Sequence, residues 1–118
     1  MTPCKSGDIV LVRFPFTDLT SSKKRPALVL SPQSFFARYH DVVVLALTSQ
    51  PQPEEELKLQ RWKEAGLPKP RWLKPLIATL SGGVLDRVLG SLHEEDRPRI
   101  SKALLQTIDL EFLSRVSR

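Results

Sequence analysis

The chain has 118 residues, of which 41% are hydrophobic and 26% charged, so it is expected to be one compact domain rather than a disordered tail or a multidomain assembly. Its net charge of +5 favours polyanionic partners, and its longest apolar run, Val42 to Leu47, is far short of the roughly 18 residues a membrane helix needs. The N-terminus lacks the apolar stretch of a secretory signal, so a cytoplasmic location is expected. The single cysteine, Cys4, forms no internal disulfide and no thiol–metal pattern, and reads as an inert residue near the terminus.

The β-branched run Asp8 to Phe16, ended by Pro15, predicts a first, mostly buried strand. Residues 17–24 are small, polar and basic, as in an exposed connection. A second strand follows from Arg25 to Ser31. Pro26 has no N–H for a ladder, which places it at the strand's first residues or on an edge. Asp41 to Thr48 is apolar on both faces and predicts a central third strand. The alternation in Glu54 to Gln60 suggests a half-exposed fourth strand, and Trp62 to Ala65 a helical turn closed by Gly66. Trp72 to Leu80 is strand-like around Pro75, Gly82-Gly83 marks a turn, and Val84 to Leu92 is a last strand with a bulge expected at Gly90. From Glu94 the period changes to about 3.6, and Ile100, Leu104, Leu105, Ile108, Phe112 and Leu113 predict one amphipathic helix capped by Asp96. The fold class is therefore mainly β with a C-terminal helix, a small antiparallel barrel or sheet with the helix laid against it.

The charge is unevenly distributed. Residues 58–74 hold six basic side chains against Glu64 alone, and the first 25 residues hold five against two, whereas the stretch from Glu94 onward is balanced. Cations confined to particular segments suit a groove for a phosphate backbone.

Three ordered segments carry a resemblance along almost the whole chain: Gly7-Asp8-Ile9-Val10-Leu11-Val12 leading to Phe14-Pro15-Phe16-Thr17-Asp18, then Lys24-Arg25-Pro26-Ala27-Leu28-Val29-Leu30-Ser31, then Leu47-Thr48-Ser49-Gln50. With Leu67-Pro68-Lys69-Pro70 and the closing strand and helix, the chain resembles the MazF/PemK family of toxin endoribonucleases. That resemblance implies an SH3-like barrel acting as a homodimer. It also implies cleavage of single-stranded RNA without metal or cofactor, and inhibition by a cognate acidic antitoxin. It makes Arg25 and Thr48 the catalytic residues, with Lys23, Lys24, Ser49 and Gln50 beside them lining the RNA groove; Phe16, at the mouth of the loop, is the best base-stacking candidate, and Thr17 and Lys74 are further candidate RNA contacts.

These residue types suit the chemistry. When a ribose 2′-hydroxyl attacks its own phosphate, negative charge grows on the phosphoryl oxygens; Arg25 brings a permanently charged planar fork of donors and Thr48 a short, stiff hydroxyl. An exposed lysine stays protonated near neutral pH, which makes Lys23 and Lys24 phosphate-steering groups rather than bases. The chain departs from some family members in having no histidine in residues 15–24, and Lys74-Pro75 stands near a position that is acidic in others. The general base is thus unassigned. His40 and His93 read as surface or capping residues, with an acid–base pair as the alternative; Asp18 reads as a turn carboxylate, and Trp62 and Trp72 as packing residues rather than base-stacking platforms. A rival reading is a non-catalytic barrel that binds DNA gyrase or only its antitoxin; a proline-rich-peptide adaptor fits poorly, since Tyr39 is the only tyrosine.

Overall fold

The structure is a computed structural model that describes residues 4–13 and 23–114. Five strands, β1 (Asp8–Val12), β2 (Arg25–Val29), β3 (Asp41–Thr48), β4 (Trp72–Ser81) and β5 (Leu85–Ser91), form one antiparallel sheet in the order β4-β3-β2-β1-β5. The helices are α1 (Gln33–Tyr39), α2 (Arg97–Thr107) and α3 (Glu111–Ser114).

The connection between β4 and β5 determines the sheet's shape. These strands occupy opposite edges, yet only a short 3-10 turn, Gly82–Val84, joins them. The edges of a flat five-stranded sheet lie about 19 Å apart, whereas four Cα steps span at most about 14 Å even when extended. The sheet must therefore curl at this end, as a partly open barrel does.

Strand alternation then separates two apolar clusters. Val10, Val12, Ala27, Val29, Val42, Val44, Ala46, Ala78 and Leu80 share one face, to which, among the described residues, Cys4 and Phe36 add buried side chains from outside the sheet. The curl of the sheet encloses this face. Ile9, Leu28, Leu45, Leu47 and Leu73 point the other way, under Leu59, Ala65, Leu67, Leu92 and Ile100. Because β3 contributes to both clusters and pairs on both sides, its uninterrupted apolar run is explained. Pro26 lies at the second residue of β2, outside the Ala27–Val29 stretch that pairs with β3. At Pro75 the register between β3 and β4 slips between Leu45 and Leu47, a bulge on an edge strand where a missing N–H costs little.

Several expectations are corrected. Residues 54–60 do not form a strand: a 3-10 turn at Glu55–Leu57 and a single bridge, Lys58 to Trp72, replace it. The alternating leucines Leu57 and Leu59 instead fold onto the outer apolar cluster, and the Leu59 N–H donates to the Arg71 carbonyl at 3.0 Å. Helix α1 was not foreseen, since within its seven residues only Phe36 is buried and no apolar period builds up. The C-terminal stripe is not one helix. Helix α2 ends at Thr107, Ile108 is extended, and the Asp109 carboxylate accepts from the Phe112 N–H to start α3, a local side-chain bond that competes with helix continuation. Phe112 and Leu113, beyond the break, are exposed, as is Leu105 on α2. The first strand ends at Val12, and the expected continuation through Phe16 lies outside the described residues.

The turn at residues 62–66 is as expected. The Gly66 N–H donates to the Lys63 carbonyl and the Leu67 N–H to the Trp62 carbonyl, with Gly66 at φ +93°, the paired bonds of a glycine-terminated helical turn. Its close neighbour is β5. A Cβ on Gly90 would sit 2.1 Å from the Ala65 carbonyl oxygen, so the bulge beside Gly90 is a seat for this turn. Asp96 precedes α2, yet its carboxylate does not cap that helix. It accepts instead from the N–H groups of Gln60 and Arg61, each at 3.0 Å, and from the Arg99 guanidinium.

Candidate active site

Arg25 opens β2 and Thr48 closes β3. The antiparallel register pairs Ala27 with Ala46; carried two places further, it sets Arg25 opposite Thr48. Opposed residues on adjacent strands point to the same face, and these two end the row Val29, Ala27, Arg25 and Val44, Ala46, Thr48. They form the polar mouth of the enclosed apolar face.

A cleft of about 270 Å³ opens there, with Ala46 and Leu76 in its walls and the side chains of Arg25, Thr48, Ser49, Gln50 and Lys74 around it. Five of the nine residues expected at the site are thereby brought together. None of the described residues lining the cleft is acidic, so the charges of Arg25 and Lys74 are not neutralised within it. Thr48 is held at its base: its Oγ1 accepts from the Gln50 N–H at 3.1 Å, which leaves the hydroxyl proton to be donated elsewhere. The Gln52 side chain in turn donates to the Gln50 carbonyl at 3.0 Å, bracing the loop.

The remaining expected residues are placed differently. Lys24 is turned away from the cleft; its Nζ lies 2.9 Å from Asp86 on β5, beside Arg13. That hydrogen bond is the main reason the Asp86 carboxyl lies below its ordinary range, with the charges of Lys24, Arg87 and Arg13 adding to it. Lys23 is exposed just before β2 and does not line the cleft. Phe16 and Thr17, like Asp18, lie outside the described residues.

Both histidines have structural duties. His40 ends α1 in the left-handed region at φ 58°, its carbonyl accepting from Gly82 N–H, and His93 Nδ1 accepts from the Glu95 N–H at 3.1 Å. Trp62 packs on the outer cluster, and Lys58 lies over the ring of Trp72 at 5.4 Å. Cys4 is buried, and that burial raises its thiol above the ordinary range, which suits an unreactive core residue. Among the described residues no three His, Cys, Asp or Glu side chains converge as a metal-ion site would require.

Arg71, counted in the sequence only as part of a basic segment, stands out in three dimensions. It is 9% exposed and its Nε–H is buried without an acceptor among the described residues. Burial, and secondarily the like charge of Arg25, lower its pKa from the ordinary guanidinium range.

Residues 5–108 match the family of PemK-like, MazF-like toxins of type II toxin–antitoxin systems. The chain belongs to this family. Solved structures agree in fold. A MazF from Deinococcus radiodurans superposes with a TM-score of 0.73 at 17% identity, over 93% of this chain and all of that one (100%). The Mycobacterium tuberculosis toxin MazF-mt6 gives 0.71 at 20% identity, over 87% of this chain and 97% of the other. A mycobacterial endoribonuclease solved in complex with its cognate antitoxin gives 0.65 at 19% identity, over 93% and 97%. Among curated proteins none matches the sequence. The mainly β architecture expected for a MazF/PemK toxin is thus present, and no helix of the described residues is long and apolar enough to cross a membrane.

Proposed function

We propose that this toxin is a cytoplasmic endoribonuclease that cleaves single-stranded RNA at particular sequences, without metal, by attack of a ribose 2′-hydroxyl on the adjacent phosphate. The observation that supports this reading most is the shared cleft, in which a guanidinium and a hydroxyl from opposed strand ends meet with no lining carboxylate. A polyanion is attracted to such a site, and the two donors differ usefully. Arg25 pairs with the non-bridging oxygens in a fork and offsets the charge that grows on them, while Thr48, its oxygen already engaged by Gln50, donates its proton to the same phosphoryl group.

In the reaction the 2′-oxygen forms a bond to phosphorus as the bond to the 5′-oxygen breaks. The 2′-hydroxyl loses a proton and the departing 5′-oxygen gains one. The products are a 2′,3′-cyclic phosphate and a 5′-hydroxyl, and DNA, lacking the nucleophile, is not cut. Lys74, Ser49 and Gln50 contact the strand beside the scissile phosphate. The toxin works as a homodimer and is silenced by an acidic antitoxin whose extended segment covers the groove.

The test is to incubate purified protein with long single-stranded RNA in excess EDTA and map the ends. Cuts with cyclic phosphate and 5′-hydroxyl termini, lost in Arg25→Ala, are expected. Cutting that disappears in EDTA or survives Arg25→Ala overturns the reading, and an absence of cutting together with stalled gyrase–DNA complexes supports the non-catalytic alternative.

A further inference from the structure

Arg71 sits immediately before Trp72, the β4 residue paired with Thr48. Its backbone is fixed by the bond from the Leu59 N–H, and its side chain is about nine-tenths buried with an unsatisfied Nε–H. The other arginines that hold the 58–61 segment to the helical end of the molecule contrast with it. Arg61 bonds Glu95 at 2.8 Å, and Arg99 bonds both Asp96 and the Lys58 carbonyl. Among the described residues no carboxylate pairs with Arg71. Burying a guanidinium Nε–H without an acceptor is unfavourable, and a second guanidinium nearby adds repulsion. Burial and the positive field of Arg25 both act on this group. A side chain kept at such cost at the edge of a site answers to an anion that arrives with the ligand.

We propose that Arg71, which lies beside the cleft and not in its lining, is a second phosphate-binding group, engaging an RNA backbone phosphate next to the one held by Arg25 and Thr48. This rests on the nuclease reading. Single-stranded RNA carries a phosphate at every nucleotide, so a strand lying across the ends of β2 and β3 continues past the adjoining end of β4, where Arg71 is anchored. The planar fork suits phosphate oxygens, and neutralisation by the bound strand removes both the unpaired charge and its repulsion with Arg25. Arg71 is a positioning residue; it raises affinity and fixes the path of the strand, and takes no part in proton transfer.

The experiment compares wild type, Arg71→Met and Arg71→Lys for binding of a mixed-sequence 2′-O-methyl oligoribonucleotide, which cannot be cut, across a salt series, with thermal melting in parallel. Arg71→Met is expected to bind about tenfold more weakly, as the loss of one charge-assisted contact implies, with a salt slope shallower by about 0.7. Its melting temperature in the absence of RNA should be unchanged or higher, because a buried donor without an acceptor is gone. Arg71→Lys should restore the slope and only part of the affinity. A stabilising effect of millimolar inorganic phosphate on the wild type, absent in Arg71→Met, supports the site independently of RNA. A wild type that binds no RNA but shows that stabilisation removes the nuclease reading while leaving the anion site. Equal affinity and equal slope in wild type and Arg71→Met overturn the proposal, as does a variant that melts lower and binds RNA normally, which marks Arg71 as packing alone. Weakened antitoxin binding with unchanged RNA binding overturns it too.

Discussion

Arg25 and Thr48 lie two places beyond Ala27–Ala46, the last pair of the β2–β3 ladder, and line one cleft from segments more than twenty residues apart. Strand pairing, rather than loop conformation, sets their separation. Substitutions at either should therefore affect chemistry with little effect on folding. Thr48→Ala is expected to cut RNA on the order of 10²-fold more slowly, and Thr48→Ser, which keeps the hydroxyl, to retain most activity. Arg25→Lys keeps the charge without the fork and should fall between wild type and Arg25→Ala. Melting temperatures should stay within a few degrees of wild type, since Arg25 is exposed and Thr48 half-buried. A collapse of stability in Thr48→Ala would mean the residue serves the fold.

The contact between Gly66 and Gly90 permits a graded test of backbone packing. Gly66 combines φ +93° with a position where a Cβ would lie 2.3 Å from the Leu89 carbonyl oxygen, and Gly90 meets the Ala65 carbonyl oxygen at 2.1 Å; Gly7 shares the positive φ, +95°, but has open space around it. Gly7→Ala should thus show only the conformational penalty of about 1–2 kcal/mol. Gly90→Ala adds overpacking against backbone, about 1–3 kcal/mol or more, and Gly66→Ala carries both penalties. Urea unfolding should rank them Gly7, then Gly90, then Gly66 in increasing loss. Equal losses at all three would show that the turn at 62–66 moves freely off β5.

The parts of the fold that depend on local pattern were legible in the sequence: β3 from its double-faced apolar run, β2 from Arg25-Pro26 leading into Ala-Leu-Val, and the turn before Gly66 from a glycine where a left-handed residue is needed. Features that depend on what lies opposite were not. Residues 54–60 alternate as a strand does, but their leucines are drawn to the outer cluster instead of to a sheet edge. The stripe from Ile100 to Leu113 keeps a helical period, yet Asp109 diverts the backbone. At the site, Arg25 and Thr48 were singled out through the family motif and Lys74 through its nearness to a position that is acidic in some members, whereas nothing in Lys69-Pro70-Arg71-Trp72 distinguishes the buried arginine from an exposed one. Lys24 adjoins Arg25 in the chain, and adjacent strand residues point to opposite faces, which is why it meets Asp86 instead of the cleft.

Asp96 gathers three donors on one carboxylate that is 1% exposed, accepting from Gln60 N–H, Arg61 N–H and Arg99. Asp96→Ala strands two backbone donors and a partly buried guanidinium together, and a loss of about 3–5 kcal/mol is expected. Asp96→Asn keeps one acceptor oxygen and should lose less. Chemical denaturation checks both; a loss below about 1 kcal/mol in Asp96→Ala would show that water replaces the carboxylate without strain.

The pairing of Lys24 with Asp86 restrains a cation on the side turned away from the cleft, and its release is measurable. Because the hydrogen bond and charge of Lys24 hold the Asp86 carboxyl below the ordinary carboxylate range, it is ionised at neutral pH and the pair persists through mildly acidic solution. A depressed carboxylate favours folding above its unfolded pKa, and that contribution fades only as pH falls through the still lower folded value. Acidity in the working range therefore does not free Lys24, but Asp86→Asn does. The variant gains one positive charge and leaves Lys24, Arg13 and Arg87 without their shared carboxylate, so a non-cleavable RNA should bind it several-fold more tightly at low salt, with the salt slope steeper by about 0.7. The advantage should disappear near 1 M salt, where screening acts over about 3 Å. Unchanged affinity and slope at low salt would place the RNA path away from the Lys24 side of the cleft and confine it to the Arg25, Thr48 and Lys74 side.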